Sequence, residues 1–181
     1  MPVTGISLTD NLEVLDDGEL VLISFDDLAK YHGRSSIGGV AHGFKVMERA
    51  FPLLTGGEPP ERRHIHVETA FDGPGARDAF EMVTRAVTGG RYRAATDLGA
   101  DGPEAPEAPQ GRFFFRLRYR DKAVDLILRD GHVSDEFIRL VRRDPRSPAE
   151  EAHLVSLKAD MAERLMSSPA EEVYDAYPAR R

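Results

Sequence analysis

The chain has 181 residues, of which 41% are hydrophobic and 30% are charged, a balance typical of one soluble globular domain. A formal net charge of −7, with arginines scattered along the chain, argues against a nucleic-acid-binding protein. The absence of cysteine excludes disulfides and thiol catalysis. Residues 1–17 contain no basic residue and no continuous apolar run, and no stretch has the length of a membrane span. We therefore expect no signal peptide, no membrane contact and a cytoplasmic location.

The first third of the chain predicts an arm followed by two helices. Residues 1–18 are acidic and rich in turn-forming residues, which indicates an N-terminal arm. Ser24 is a suitable N-cap for a short helix that ends near His32. From residue 37 to 54 apolar residues recur at helical spacing, which predicts a core helix that ends at the glycines and prolines of residues 55–60.

The middle of the chain predicts a strand, a helix and a loop. Residues 64–69 alternate polar and apolar side chains, as in a half-buried strand. Pro74 is suited to the first position of a helix, which we expect to run to about Val87 before two glycines. Residues 98–111 are rich in proline, glycine and acidic residues, which indicates a surface loop.

The last third of the chain predicts a hairpin and two helices. Residues 112–119 and 123–128 alternate in character around a three-residue polar turn, which is typical of a β-hairpin. Ser134 and Ser147 are suitable N-caps, and Ser147 precedes proline at the first helical position. Together the elements predict an α+β fold, with an antiparallel or mixed sheet packed with helices. Residues 19–177 would form a single compact domain with a long C-terminal helix.

Histidines are concentrated in two segments, since four of the six lie between positions 32 and 66. On a strand, His64, His66 and Glu68 would share one face, with Ile65 and Val67 on the other. Such a row could be a solvated strand face, a set of metal ligands or a substrate-binding and acid–base group. Zinc, iron and nickel accept nitrogen and oxygen donors of this kind.

A small-residue turn links the first two predicted helices. His32-Gly33 is followed by Arg34-Ser35-Ser36-Ile37-Gly38-Gly39, and glycine and serine allow backbone to come close to a neighbouring group. His42 follows on the second helix, where it could point inward or lie on a solvated face. Ser36 lacks the Gly-x-Ser-x-Gly elbow of a serine nucleophile, so we expect it to act as a small filling residue.

These segments resemble the family of proteins related to the E chain of formylmethanofuran dehydrogenase, over roughly residues 20–177. The resemblance rests on the order and spacing of four segments. They are His32-Gly33-Arg34-Ser35-Ser36-Ile37-Gly38 followed by Gly43-Phe44, Val67-Glu68-Thr69, Gly75-Ala76-Arg77-Asp78 with the helix it opens, and the tail from Ser147 to Tyr174. The resemblance implies a small-molecule or accessory protein with a metal site, and a homodimer.

Departures from the family pattern limit what the resemblance implies. Ser36 and Gly75 stand where the family has cysteines, and Arg34 replaces its second histidine, so a thiolate metal site cannot form. We also expect no C-terminal zinc ribbon of the kind that some members of the family carry. The positions that match the family pattern are His32, Gly38, Gly43, Glu68 and Asp78.

The leading hypothesis is a histidine-lined pocket that acts on a small molecule. A divalent metal (zinc, iron or nickel), or a metal-bearing cofactor, would be held by His32, His64 and His66. His66, Glu68 and Asp78 are the candidate catalytic groups, and Asp78 could instead orient a ligating histidine. The candidate cofactor-binding residues are His32, Arg34, Ser36 and His42.

Two alternative functions use the same pocket without a metal. One is a metal-free enzyme of a biosynthetic pathway, with His32 or His66 as the acid–base group and Arg34 binding an anionic substrate. The other is a non-catalytic accessory or binding protein.

Two structural expectations accompany these hypotheses. The pocket should have residues 32–42 on one wall, residues 64–68 on another, and residues 74–78 closing its end. The run Arg112-Phe113-Phe114-Phe115 places aromatics on both faces of a strand, so we also expect a second copy of the chain to cover one of them.

Overall fold

The fold is an α+β domain, which confirms the predicted class, and the computed structural model describes residues 11–179. The described chain contains six α-helices and eight strands. The helices are α1 (Phe25–His32), α2 (Ile37–Thr55), α3 (Pro74–Thr84), α4 (Asp135–Arg142), α5 (Pro148–Met166) and α6 (Ala170–Val173). The strands are β1 (Asn11–Asp16), β2 (Glu19–Ser24), β3 (Ile65–Phe71), β4 (Tyr92–Ala94), β5 (Glu107–Ala108), β6 (Gly111–Tyr119), β7 (Lys122–Leu128) and β8 (Tyr174–Pro178).

The main sheet is mixed and has the strand order β4-β3-β6-β7-β8, with β5 added beside β6. Only the β3–β4 pair is parallel, and the other described pairs of this sheet are antiparallel. Strands β1 and β2 form a separate antiparallel hairpin that turns at Asp17 and Gly18. Both turn residues have a positive φ, which suits the right-handed twist of a tight hairpin. Leu12 and Val14 of β1 are buried, so part of the predicted N-terminal arm lies in the core.

Helix boundaries follow the local signals that the sequence carries. Ser24 and Ser147 each accept a hydrogen bond from an amide in the first turn, and the acidic residue three positions later completes a capping box. Gly56 ends α2 in the left-handed conformation that favours glycine.

Helix α3 ends at Thr84 rather than near Val87 as predicted. The Arg62 guanidinium accounts for this difference, because it donates to the carbonyl oxygens of Met82 and Val83. Those are the oxygens that the amides of Ala86 and Val87 would reach in a longer helix.

One face of the main sheet carries the hydrophobic core. Helix α2 is buried along most of its length because α1, α3, α5 and the sheet surround it. Its contact with α3 is made by small residues: a Cβ built on Gly43 would lie 2.7 Å from the Cβ of Ala79. Larger side chains would therefore push the two helix axes apart.

The opposite face of the sheet is covered in part by the chain itself. Phe114, Ala70 and Ile127 form a second apolar cluster, against which Ala105 and Leu98 pack from the predicted surface loop. Phe113 and Phe115 are buried in the main core on the other face. All three aromatics are thus covered within one chain, and the expectation that a second copy must cover one of them was wrong.

The C-terminal segment departs most from the predicted pattern. After one short helical turn, residues 174–178 form strand β8 at the edge of the sheet, where they pair with β7. Within residues 11–179 no helix combines the length and the apolar character needed to cross a bilayer.

Candidate functional site

A cavity of about 200 Å³ lies where α2 and α3 begin, roofed by α4 and α5. Ser36, Gly38 and Gly39 line it from α2, and the Gly73-Pro74-Gly75 turn lines it from α3. Two of the predicted walls, residues 32–42 and 74–78, therefore do meet at one cavity. Phe71 and Phe113 form its floor, with their rings stacked at 4.3 Å between centroids.

The glycines are needed because the two helix starts come into backbone contact. A Cβ built on Gly75 would overlap the carbonyl oxygen of Ser36 and would lie 2.9 Å from the amide nitrogen of Val40. A Cβ on Gly38 would lie 3.0 Å from the sulfur of Met161 in α5. Ser36 and Gly75 thus bring backbone together and leave room beside it.

Both helix starts lack a side-chain cap. Neither Ser36, before α2, nor Gly73, before α3, accepts a capping hydrogen bond. The backbone bonds of α2 begin with the Val40 amide donating to Ser36, and those of α3 with the Arg77 amide donating to Gly73. The amides of the preceding positions have no acceptor within their helix, so each start presents donors and a partial positive charge.

His42 is the buried polar side chain of the cavity wall. It is 1% exposed, its ring lies 4.8 Å from that of Phe113, and its Nδ1 is 2.8 Å from the hydroxyl oxygen of Tyr174. Its other ring nitrogen, Nε2, is buried and has no hydrogen-bond partner within the described chain. Because Nδ1 is engaged by the tyrosine, Nε2 is the ring nitrogen that is left without a partner.

The Tyr174 contact fixes the tautomer of His42. Tyr174 is fully buried, and its hydroxyl needs an acceptor for its proton, which Nδ1 supplies. Burial lowers the pKa of His42 to about 3, with a smaller contribution from His132, so the ring is neutral. Burial likewise raises the pKa of Tyr174, which keeps the phenol protonated. The proton of the neutral imidazole is then on Nε2, and His42 is a hydrogen-bond donor.

Two cationic side chains also line the cavity. Lys158 of α5 donates to the carbonyl oxygen of Ser35 at 2.9 Å. Arg146 donates to the carbonyl oxygens of Val141 and Arg143 at the end of α4, and its Nε lies 2.8 Å from a Glu151 carboxylate oxygen. Burial, and then the charge of Arg146, lower the pKa of Lys158. The described residues that line the cavity include no aspartate or glutamate.

A second buried histidine lies outside the cavity lining. His32, at the end of α1, has an 8% exposed side chain whose Nδ1 is 2.8 Å from Asp78 Oδ2 on α3. Its Nε2 is buried and, among residues 11–179, has no hydrogen-bond partner. The structure thus joins His32 to Asp78, the residue expected to orient a ligating histidine.

The strand residues do not reach this region. His64 lies in a short 3-10 turn (Arg62–His64) rather than in β3, and its side chain is exposed. Ile65 and Val67 occupy the core face of β3, which leaves His66 and Glu68 on the other face. Glu68 there pairs with Arg93 and Arg118 at 3.4 and 3.3 Å. The pocket wall predicted from residues 64–68 was therefore wrong.

The predicted metal ligands are not brought together within residues 11–179. His32, His64 and His66 are not among the sets of three donor atoms that lie within 4.8 Å of one another in the described chain. The set that does meet this distance is Asp16, Asp17 and Glu61. Contacts within the protein account for the closeness of these residues. Asp16 pairs with Arg62 and Arg63, and the Glu61 carboxylate accepts the Asp17 amide of the β1–β2 turn.

The cations and the tyrosine of the cavity were not predicted from the sequence. Arg34, predicted to bind an anion, is exposed and does not line the cavity, where Arg146 and Lys158 stand instead. These two residues and Tyr174 lie far along the chain from His42, and no local pattern connects them to it. No protein-family model matches the chain, and no curated protein matches it.

Proposed function

We propose that the protein binds a small organic molecule in the cavity beside the starts of α2 and α3. The observation that carries this proposal is His42, a buried donor that lines the cavity and has no partner for Nε2 in the described chain. Leaving a buried polar group without a partner typically costs about 1–3 kcal/mol, which a ligand acceptor would recover. An apolar pocket with few, well-placed polar groups is the usual form of a small-molecule site.

The chemistry of His42 favours binding over proton transfer. A general base works best with a pKa near the working pH, whereas burial holds the pKa of His42 at about 3. The neutral ring can donate from Nε2 to a carbonyl or carboxylate oxygen of the ligand. A neutral donor supports the second alternative function, a non-catalytic binding protein. His42, which the sequence suggested as a cofactor contact, would then be the hydrogen-bond donor to the ligand.

Family membership and self-association belong to the same proposal. We also propose that the chain is a divergent, cysteine-less relative of the formylmethanofuran dehydrogenase family that acts in the cytoplasm. The residues that match the family pattern support the relationship, and the family resemblance supports a homodimer. Light scattering at micromolar concentrations tests the dimer, and a monomeric mass would contradict it.

A paired substitution tests the role of His42 without disrupting the fold. In a His42→Phe/Tyr174→Phe double variant both hydrogen-bond partners become apolar groups of similar shape, a change that is typically close to neutral for stability. A library of small carbonyl compounds would be screened against both proteins by ligand-observed NMR. We expect hits on the wild type that are lost in the double variant and retained in His153→Phe, a change of an exposed histidine on α5. Equal hits on all three proteins would contradict the proposal.

A further inference from the structure

The charge around the cavity selects among small molecules. Lys158 and Arg146 are the ionisable cations of the lining, and the described lining itself contains no acidic side chain. His42 adds a neutral donor to the same lining. A ligand without charge would leave the Lys158 ammonium unmatched, whereas an anionic group would be stabilised beside it.

Backbone amides add to the same preference. The helical hydrogen bonds of α2 and α3 begin at the Val40 and Arg77 amides. The amides of Gly38 and Gly75, two residues earlier in each case, have no acceptor within their own helices and belong to residues that line the cavity. Two helix starts of this kind favour a negative group beside them, and the buried His42 donor is an independent sign that the cavity receives a ligand acceptor.

Contacts that Arg146 and Lys158 make within the protein limit the positive charge that is available to a ligand. Arg146 is paired with Glu151 and with backbone carbonyls, so most of its charge is balanced. Lys158 uses one of its three N–H donors on Ser35, which leaves two for a ligand. About one positive charge therefore remains available, which matches a carboxylate better than a doubly charged phosphate.

The rest of the cavity is apolar and small. Phe71, Phe113, Phe137 and Leu154 line it, and its volume of about 200 Å³ lies below the roughly 300–1,000 Å³ typical of sites for drug-sized molecules. The body of the ligand must then be a compact hydrocarbon, such as a single ring or a short branched chain.

We propose that the natural ligand is a small organic carboxylate with a compact apolar body. Its carboxylate would lie among Lys158, the helix starts and the His42 Nε2–H, and its body against Phe71 and Phe113. This inference rests on the proposed small-molecule function and names the ligand class.

Calorimetric titration of the full chain with benzoate and with benzamide tests the inference. The two probes share the ring and differ in charge. We expect benzoate to bind at least about tenfold more tightly than benzamide, which corresponds to one hydrogen bond to a charged group. Lys158→Gln should weaken benzoate by a similar factor and leave benzamide unchanged. Lys122→Gln, which alters an exposed lysine on β7, should change neither affinity.

The outcomes of this titration distinguish a wrong ligand class from a wrong small-molecule function. If benzamide binds as tightly as benzoate, and both are lost in His42→Phe/Tyr174→Phe, the small-molecule function stands and the carboxylate class is overturned. If inorganic phosphate binds more tightly than benzoate, the charge argument is overturned. If neither ring compound binds the wild type at millimolar concentration, both the ligand class and the proposed function lose their support. Circular dichroism of each variant establishes that it is folded.

Discussion

The buried neutral His42 should make the free energy of unfolding depend on pH between 5 and 7. Its pKa is about 3 in the folded protein and about 6.5 in the unfolded chain. Between these values the unfolded state binds one more proton than the folded state. Stability therefore rises with pH in this window, and it is lost as the pH falls below about 6.5.

The size of the effect follows from the two pKa values. Each pH unit inside the window changes the free energy of unfolding by roughly 1.4 kcal/mol. Lowering the pH from 7 to 5 should thus remove about 2 kcal/mol through His42 alone. Asp16, Asp27 and Glu150, whose carboxyl pKa values are lowered chiefly by hydrogen bonds, lose their contribution only when the pH falls below about 4.5.

Urea denaturation followed by circular dichroism at pH 5, 6 and 7 measures this dependence. The wild type should lose about 2 kcal/mol more across the range than His42→Phe/Tyr174→Phe, which has no titrating group at this position. His153→Gln, which removes an exposed histidine, should keep the wild-type slope. If the double variant shows the same slope as the wild type, His42 is not held neutral, and the donor role of Nε2 is refuted.

Two further predictions concern packing and a buried charge. Gly75→Ala should lower the free energy of unfolding by about 1–3 kcal/mol, because its Cβ would overlap backbone of α2, whereas Arg77→Ala on the exposed face of α3 should change it by less than about 0.5 kcal/mol. Urea denaturation in which Gly75→Ala is as stable as the wild type would contradict the close approach. Lys45→Ala should lower the free energy of unfolding by about 3–5 kcal/mol, because it leaves the largely buried Glu48 carboxylate without its partner. Lys30→Ala, which breaks an exposed ion pair, should lower it by less than about 1 kcal/mol. Similar losses of thermal stability in the two lysine variants would argue against a buried ion pair.

Much of the fold was predictable because its signals are local. Ser24, Ser147 and Gly56 determine helix ends through contacts within a few residues, and the β6–β7 hairpin is encoded by alternation around a short turn. Strand β8 carries no comparable signal. Its extended form depends on pairing with β7, about fifty residues earlier in the chain, and such nonlocal contacts are invisible to local patterns.

The site was predicted in part, and the misplaced part has a clear cause. Alternation correctly placed His66 and Glu68 on one face of β3, but the helices had to cover the face that carries Ile65 and Val67. His66 and Glu68 therefore lie away from the cavity, because Ile65 and Val67 occupy the face of β3 that contacts the helices. Lys158 was missed because α5 reaches the start of α2 only in the folded chain.

Histidine ¹⁵N NMR of the full chain, recorded at pH 6 with and without saturating benzoate, tests most directly whether His42 is the ligand donor. We predict that His42 is neutral with its proton on Nε2, and that benzoate shifts this N–H signal while the signals of the exposed His64 and His66 stay in place. A proton on Nδ1, a doubly protonated ring, or an Nε2 signal that benzoate leaves unchanged would contradict this role.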